Sequence, residues 1–329
     1  MPDFHSIKKI AVFTSGGDSP GMNACIRAIV RTAIHHHLEV IGIKYGYDGM
    51  IKGDFVPLNA ESVSGIIQRG GTILKTARSK NFTTKKGMQQ AAQQLKKHAI
   101  DALIAIGGDG TFKGANEFFS IYPIPIVGIP GTIDNDLVGT DFAIGYDTAI
   151  NTVVEAVDKI RDTAESHDRL FFVEVMGRDA GLIALESGIG VGAEAILIPE
   201  TTTDINALIR KLEKGWKRNK SSKIIIVAEG DEAGGAFEIA KKVKKKFNQY
   251  DTRITILGHI QRGGNPTCTD RVLASRLGFA AVEALIENKK GVMAGIINNK
   301  IVYTPFKNAV KHTLTLDTDL LKIAEILSS

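Results

Sequence analysis

Three glycine-rich segments carry residue types that can handle phosphate. The first reads Ser15-Gly16-Gly17-Asp18-Ser19-Pro20-Gly21-Met22-Asn23, between an apolar run at Ile10 to Thr14 and a helical pattern starting near Ala24. Glycines between a strand and a helix sit where open α/β sheets bind ligands, although a plain tight turn has the same composition. The second segment, Gly107-Gly108-Asp109-Gly110-Thr111, follows another strand-like run and opens a helical stretch from Thr111 to Phe119. Its glycines let backbone N–H groups approach phosphates, and Asp109 can hold Mg²⁺ directly or through water. The competing reading makes Asp109 a helix cap. The third segment is Pro130-Gly131-Thr132-Ile133-Asp134-Asn135-Asp136. Two carboxylates one residue apart repel each other, which is tolerable when one works near a cation and the other as a base. Phosphoryl transfer to an alcohol needs such a base for the hydroxyl proton, and an Asx-turn with solvated aspartates would show the same letters. Arg78, Arg169, Arg178 and Arg262 stand near glycines or strand ends. Guanidinium groups suit phosphate oxygens, though each arginine taken singly is more often a surface ion pair, so it is the collection that points to phosphate.

The elements that must position these residues read as a parallel sheet. Short β-branched runs recur between helical stretches at Ile10 to Thr14, Val40 to Lys44, Ala102 to Ile106 and Ile124 to Ile129. The texture continues at Leu170 to Val175, Ala195 to Ile198, Lys223 to Ala228 and Ile254 to Gly258. That rhythm predicts an open α/β architecture. Gly291 to Ile297 and Ile301 to Phe306 flank Asn298-Asn299-Lys300 and predict a β-hairpin, because Asn tolerates positive φ. In Ala240 to Phe247, residues Ala240, Val243 and Phe247 share one helical face, which makes the lysines between them a solvated face. His35, His36 and His37 point in three directions on a helix and cannot converge on one metal.

Composition narrows the function classes. The 329 residues are 43% hydrophobic and 23% charged, which excludes a disordered chain, a collagen or a coiled coil and predicts about two domains. Lys+Arg 41 against Asp+Glu 36 gives a net +5, too mild for a nucleic-acid binder but comfortable for anionic small molecules. Cys25 and Cys268 form neither a disulfide framework nor a zinc pattern. With no apolar stretch of membrane-spanning length and no signal-peptide pattern at Met1 to Ile10, a soluble cytoplasmic protein is expected. Neither G-x-G-x-x-G nor G-x-x-x-x-G-K-[ST] occurs in a strand–turn–helix context, which disfavours a dehydrogenase or a P-loop protein.

Taken together, SGGDSPGMN, RGGT, GGDGT, PGTIDND, EVMGR and GHIQRGG occur in an order and spacing that resembles the bacterial ATP-dependent 6-phosphofructokinases, from Ile10 to about Gly278. The resemblance implies two Rossmann-like three-layer α/β domains with largely parallel sheets and an active site in the cleft between them. It implies a larger ATP-binding domain of residues 1–144 and 258–308 and a smaller sugar-phosphate domain of residues 145–257 and 309–329. By the same resemblance Gly17, Tyr47, Arg78, Ser79, Gly108, Gly110 and Thr111 would hold ATP, with Asp109 serving Mg²⁺. Asp134 would be the base for the sugar's 1-hydroxyl, flanked by Thr132 and Asp136, and Arg178 would stabilise the transferring phosphoryl group. Met176, Gly177, Glu229 and His259 would contact the sugar. Arg169 and Arg253 of a neighbouring subunit, with His259 and Arg262, would bind the 6-phosphate, which implies a homotetramer. Arg27, Arg31, Arg161, Glu194, Arg218 and Lys220 match an effector site for ADP or phosphoenolpyruvate. Ala60, Gly65 and Ser222 depart from its pattern, where arginine, aspartate and histidine are common.

Two rivals remain open at this point. Pyrophosphate-using relatives carry Asp in place of Gly110 and Lys in place of Gly131, so the two glycines favour ATP. A non-catalytic nucleotide-binding regulator would be expected to lack Asp109 or Asp134, and both are present.

Overall fold

Runs of Val, Ile and Ala without polar alternation make strands that are buried on both faces, and such strands need helices above and below. The computed structural model describes residues 7–166, 169–217, 223–249, 251–310 and 318–327. The chain divides into two units, one from Met1–Thr148 and Arg262–His312, the other from Ala149–Gln261 and Thr313–Ser329.

The first unit holds a seven-stranded sheet in the order β11-β10-β5-β4-β1-β2-β3. Its strands are β1 (Lys9–Ser15), β2 (Glu39–Ile43), β3 (Phe55–Leu58), β4 (Ala102–Gly107), β5 (Ile126–Pro130), β10 (Val292–Ile297) and β11 (Lys300–Pro305). The five inner strands run parallel, while β3 and β11 pair antiparallel with their neighbours. Alternate residues of β1 serve opposite layers. Ile10 and Val12 pack with helices α1 (Met22–His35) and α9 (Cys268–Ile286), whereas Ala11 and Phe13 pack with α2 (Gly46–Lys52), α3 (Lys85–Lys97) and α4 (Asp109–Ile121). Three layers follow from this period of two.

Strand β3 and the hairpin turn differ from the sequence reading, as does the strand expected at Ile254 to Gly258, which runs instead over Asp251–Ile256. Strand β3 was not expected: its four residues include Pro57, which an edge strand tolerates and a periodicity reading rejects. In the hairpin only Asn298 (φ 49°) and Asn299 (φ 62°) form the turn, and Lys300 already pairs with Ile297. A two-residue turn with both φ positive matches the strand twist better than three residues would.

The second unit holds a four-stranded parallel sheet, β7-β8-β6-β9. It comprises β6 (Arg169–Val175), β7 (Ala195–Leu197), β8 (Lys223–Ala228) and β9 (Asp251–Ile256). Helices α7 (Ile205–Lys217) and α8 (Ala236–Lys246) cover one face through Leu208, Leu212, Ile239 and Val243. The lysines of α8 lie exposed around buried Ala240 and Val243, so this stretch is a solvated helix face. In the first unit His36 Nε2 lies 2.6 Å from Glu283 Oε1 on α9. No described helix is long and apolar enough to cross a membrane.

Helices α1 and α9 touch at Gly278. A Cβ there would lie 2.8 Å from both the Ala28 Cβ and the Cys25 carbonyl oxygen. Because the obstacles are backbone and a short side chain, Gly278→Ala should lower stability by about 1–3 kcal/mol through overpacking. A thermal or urea midpoint equal to that of the parent would show that the two helices separate freely.

Candidate active site

Three parallel strands end side by side. Ser15 of β1 is in register with Gly107 of β4, and Gly107 with Pro130 of β5. From β1 the chain moves to β2 on one side, and from β4 to β5 on the other, so the strand order reverses between β1 and β4. The crevice beyond the carboxyl ends at such a switch point is where open α/β sheets take ligands.

Each loop leaving that line is held by identifiable contacts. Gly107 has no room for a side chain: a Cβ would fall 2.3 Å from Thr111 Oγ1 and 2.5 Å from the Ser15 carbonyl oxygen. Thr111 Oγ1 donates to the Ser15 carbonyl at 3.0 Å, and Tyr47 Oη donates to the Thr111 carbonyl at 2.7 Å. These bonds fix the first turn of α4 against the end of β1 and against α2. The helix begins at Asp109, earlier than the expected Thr111, with Gly108 as its N-cap and no side-chain cap. Asp109 is therefore not the cap; its Oδ2 accepts from Lys113 Nζ at 2.7 Å. Gly110 faces open space, and a Cβ there would meet nothing within 4 Å. Gly131 instead faces the core, where a Cβ would lie 3.0 Å from Ile106 Cγ2 and 3.2 Å from Met22 Cε.

The third loop is buried, against the solvated alternative. Thr132 is 8% exposed, Asp134 1% and Asp136 3%. The Asp134 amide donates to Thr132 Oγ1 at 3.2 Å, and Asn135, at φ 51°, closes the loop. Asn135 Nδ2 donates to the Asp141 carbonyl at 2.9 Å and its Oδ1 accepts from the Ala143 amide at 2.7 Å. Arg262 lies in the same unit. Its NH1 donates to the Asp18 carbonyl at 3.2 Å, its NH2 stands 4.0 Å from Asp134 Oδ1, and a Cβ on Gly17 would be 2.7 Å from NH1. A buried carboxylate is costly without compensating charge, and this guanidinium supplies it.

Some expected nucleotide residues also make contacts within the chain. Tyr47 is buried and stacks on Phe82 with ring centroids 3.9 Å apart, and burial raises its phenol well above the usual range. Its hydroxyl serves Thr111, so it acts by placing α4. The Ser79 hydroxyl donates to Asp48 and accepts from the Phe82 amide. Arg78 is exposed, just ahead of it. No group of three or more His, Cys, Asp or Glu among the described residues could hold a metal by itself. A divalent cation at Asp109 would have one carboxylate from the chain and depend on phosphate oxygens and water, which is the habit of Mg²⁺.

In the second unit, Met176, Gly177 and Arg178 follow β6, Glu229 follows β8 and exposed His259 follows β9, all at carboxyl ends. The amides of Gly177 and Arg178 donate to Glu229 Oε1 at 3.3 and 2.8 Å. Arg178 takes φ 54°, a strained value for a side-chain-bearing residue, and is exposed. Arg169 and Arg253 are not part of this group. They sit at the amino end of the sheet, where Arg169 Nε at 3.1 Å and Arg253 NH2 at 2.7 Å share Asp251 Oδ2. Asp251 was not singled out from the sequence, although its place one residue before Thr252-Arg253 in an alternating strand puts it on the arginine face.

The effector candidates are divided between the two units. Arg27 is half-buried and Arg31 exposed on α1, Arg161 donates to the Val191 carbonyl, and Glu194 is buried. Ala60 is exposed and Gly65 takes φ 64° with open space around it. Arg218, Lys220 and Ser222 lie outside the described residues.

Comparison with known proteins adds independent findings. A family model described as Phosphofructokinase matches residues 9–285. The ATP-dependent 6-phosphofructokinase of Cytophaga hutchinsonii is 57% identical over 98% of this chain and 98% of its own. ATP-dependent 6-phosphofructokinase 1 of Thermus thermophilus is 53% identical over 98% of this chain and all (100%) of its own. Among solved structures, Pichia pastoris phosphofructokinase in the T-state aligns with TM-score 0.88 at 37% identity. That alignment takes in 99% of this chain and 37% of the yeast chain, so this chain spans a little over a third of that relative's length. A pyrophosphate-dependent phosphofructokinase from Marinobacter aquaeolei aligns over 98% of this chain and 92% of its own with TM-score 0.84 at 22% identity, a likeness of fold.

Tyr47→Phe should isolate the contribution of the hydroxyl. The ring stack survives, the bond to the Thr111 carbonyl is lost, and stability should fall by about 0.5–1.5 kcal/mol. An unchanged urea midpoint would mean that α4 needs no such tie.

Proposed function

This chain belongs to the phosphofructokinase family, and from that premise we infer that it transfers the γ-phosphoryl group of ATP to the 1-hydroxyl of D-fructose 6-phosphate. The products are fructose 1,6-bisphosphate and ADP, the committed step of glycolysis. The observation that carries the reading is Asp134. It is 1% exposed, it hangs from the same line of strand ends as the Gly108 to Thr111 loop, and a guanidinium stands 4.0 Å away.

In this mechanism Asp134 takes the proton of the 1-hydroxyl as that oxygen bonds to the γ-phosphorus and the bond to the ADP oxygen breaks. Thr132, whose hydroxyl accepts from the Asp134 amide, and Asp136 flank it. Arg178 offsets charge gathering on the transferred group, and the chemistry is otherwise positioning and electrostatics. Gly17, Arg78, Ser79 and Gly108 to Thr111 receive the nucleotide, with Tyr47 acting through Thr111. Asp109 would hold the Mg²⁺ carried by ATP, whose charge would neutralise the phosphates. Met176, Gly177, Glu229 and His259 bind the sugar, and Arg262 serves its 6-phosphate as well as offsetting Asp134.

Arg169 and Arg253 bind the 6-phosphate of a neighbouring copy in a homotetramer. Their place at the opposite end of the β6–β9 pair from Met176 supports that division, since β6 is 7 residues long and spans roughly 20 Å at about 3.3 Å per residue. Arg27, Arg31, Arg161, Glu194, Arg218 and Lys220 form an effector site for ADP or phosphoenolpyruvate, altered by Ala60, Gly65 and Ser222. Two free cysteines fit work in a reducing cytoplasm. Gly110 favours ATP over pyrophosphate because its open side leaves room and no negative charge beside a nucleotide. Gly131 faces Ile106 and Met22, so room for a phosphate is not its contribution.

The deciding assay compares ATP with pyrophosphate as donor to fructose 6-phosphate in the presence of Mg²⁺. Bisphosphate should form with ATP only; formation with pyrophosphate would remove Gly110 from donor choice, and none with either would remove the activity. Asp134→Asn should lower kcat by about a thousandfold with much less change in KM for the sugar. An unaltered kcat would exclude Asp134 as base. Arg169→Ala and Arg253→Ala should each raise KM for fructose 6-phosphate about tenfold or more while kcat changes little. A pure kcat effect would contradict their phosphate-binding assignment.

A further inference from the structure

Asp270 is fully buried at the start of α9 and is not needed to explain any substrate contact. Its Oδ1 accepts from the Gly145 amide at 2.8 Å, and its Oδ2 accepts from the Thr148 amide at 2.8 Å and Thr148 Oγ1 at 2.5 Å. Its own amide donates to Thr267 Oγ1 at 3.2 Å, and the Thr267 amide donates to Thr148 Oγ1 at 3.0 Å. Thr267 thus caps α9, while the carboxylate at the third helical position turns away to the first turn of α5 (Tyr146–Glu165). An anion at a helix N-terminus is stabilised by the free N–H groups and the macrodipole. Burial pushes the Asp270 carboxyl up, and the bonds from Thr148 and Gly145 oppose that shift.

Both chain segments met by this cluster lead to the candidate base. Gly145 closes the Asp134 loop: Ile144 bridges to Gly131, the Ile144 amide donates to the Pro130 carbonyl at 2.9 Å, and Ala143 is bound by Asn135, the residue after Asp134. The other segment, from Arg262 to Thr267, brings the guanidinium to 4.0 Å from Asp134. Gly145 takes φ 104°, and a Cβ there would lie 2.5 Å from Ser19 Cβ, so the first loop also rests on this point.

We propose that Asp270 is a positioning residue for the transfer reaction, riveting the loop that carries Asp134 to the segment that carries Arg262. The proposal rests on the kinase reading above. With the carboxylate in place, the distance between base and guanidinium is fixed from behind, by atoms that never meet substrate. Without it, two buried amides lose their acceptor and the loop neck opens.

The experiment uses the full chain with Asp270→Asn, Thr148→Val and Thr148→Ser. For folded Asp270→Asn, kcat should fall about tenfold while KM for ATP stays within about twofold, the split expected of a misplaced base. Combined with Arg262→Ala, it should add little further loss, because both act through the same pair. Thr148→Val should show a smaller form of the defect and Thr148→Ser should restore parent behaviour. Hydrogen exchange of the amides of Ala143 and Gly145 should quicken about tenfold in Asp270→Asn, with β4 unchanged. Parent kcat in folded Asp270→Asn, or multiplicative losses with Arg262→Ala, would overturn the proposal. If Asp270→Asn does not fold, the Thr148 pair decides, and equal kcat and exchange in Val and Ser variants would overturn it. A parent chain without kinase activity would remove the functional reading, and unchanged exchange in Asp270→Asn would independently remove the rivet.

Discussion

The structure of the first unit depends on three strand ends, Ser15, Gly107 and Pro130, standing in register on adjacent parallel strands. Parallel pairing puts carboxyl ends on one edge, and the loops leaving that edge must share a narrow strip of space. Gly107 is the tightest point, since any side chain would meet both Thr111 and the Ser15 carbonyl. That closeness lets one hydroxyl, Thr111 Oγ1, tie α4 to the neighbouring strand. The same strip receives the guanidinium of Arg262 against Gly17. The glycines here are of two kinds. Gly107 is required by packing and Gly131 faces packed side chains, whereas Gly110 faces open space.

Burying carboxylates beside that strip is the main electrostatic difficulty of the fold. Asp134, Asp136 and Asp270 are each 3% exposed or less. Charge in such places survives only with hydrogen bonds or opposite charge supplied by fixed groups. Asp270 solves the problem with backbone amides at the start of α5 and a threonine hydroxyl. Asp134 has a guanidinium nearby but at 4.0 Å, longer than a hydrogen bond. The two carboxylates are accommodated differently, one by fixed hydrogen-bond donors and the other beside a guanidinium.

Much of this was legible in the sequence because its signals are local. Apolar runs marked β1, β4, β5, β6 and β8, and glycines at their ends marked the loops. Paired asparagines marked the hairpin, and the alternation of lysines with Ala240 and Val243 marked a solvated helix face. Strand β3 was hidden by its length and by Pro57, and α4 began earlier than Thr111 because Gly108 supplies the cap conformation without a capping side chain. Burial of Asp134 and Asp136 could not be read, since acidic letters in a loop predict solvent. The roles of Asp251 and Asp270 were also out of reach. Each depends on partners far along the chain, Arg169 for one and Gly145 with Thr148 for the other. The pattern Thr267-x-x-Asp270 does resemble a capping box, but that reading sends the carboxylate back to Thr267 rather than across to α5.

In the second unit the chemistry-bearing residues divide by strand polarity. Met176, Gly177, Arg178, Glu229 and His259 follow carboxyl ends, and Arg169 with Arg253 starts from amino ends of the same parallel strands. A parallel sheet cannot bend its two ends together, and the length of β6 exceeds that of any hexose phosphate. Two arginines sharing one carboxylate oxygen, Asp251 Oδ2, carry more positive charge than that partner neutralises, and both are partly exposed. Such a pair is suited to an anion arriving from outside the unit. A phosphate would meet two guanidinium groups already held side by side by Asp251, and would have to compete with that carboxylate for them. Asp251 then acts in two opposed ways, preorganising the arginines and lowering their net charge. Which of these dominates is set by how firmly β6 and β9 alone hold the arginine stems. Because β9 is an edge strand paired only with β6, the carboxylate supplies restraint that the backbone on its outer side does not.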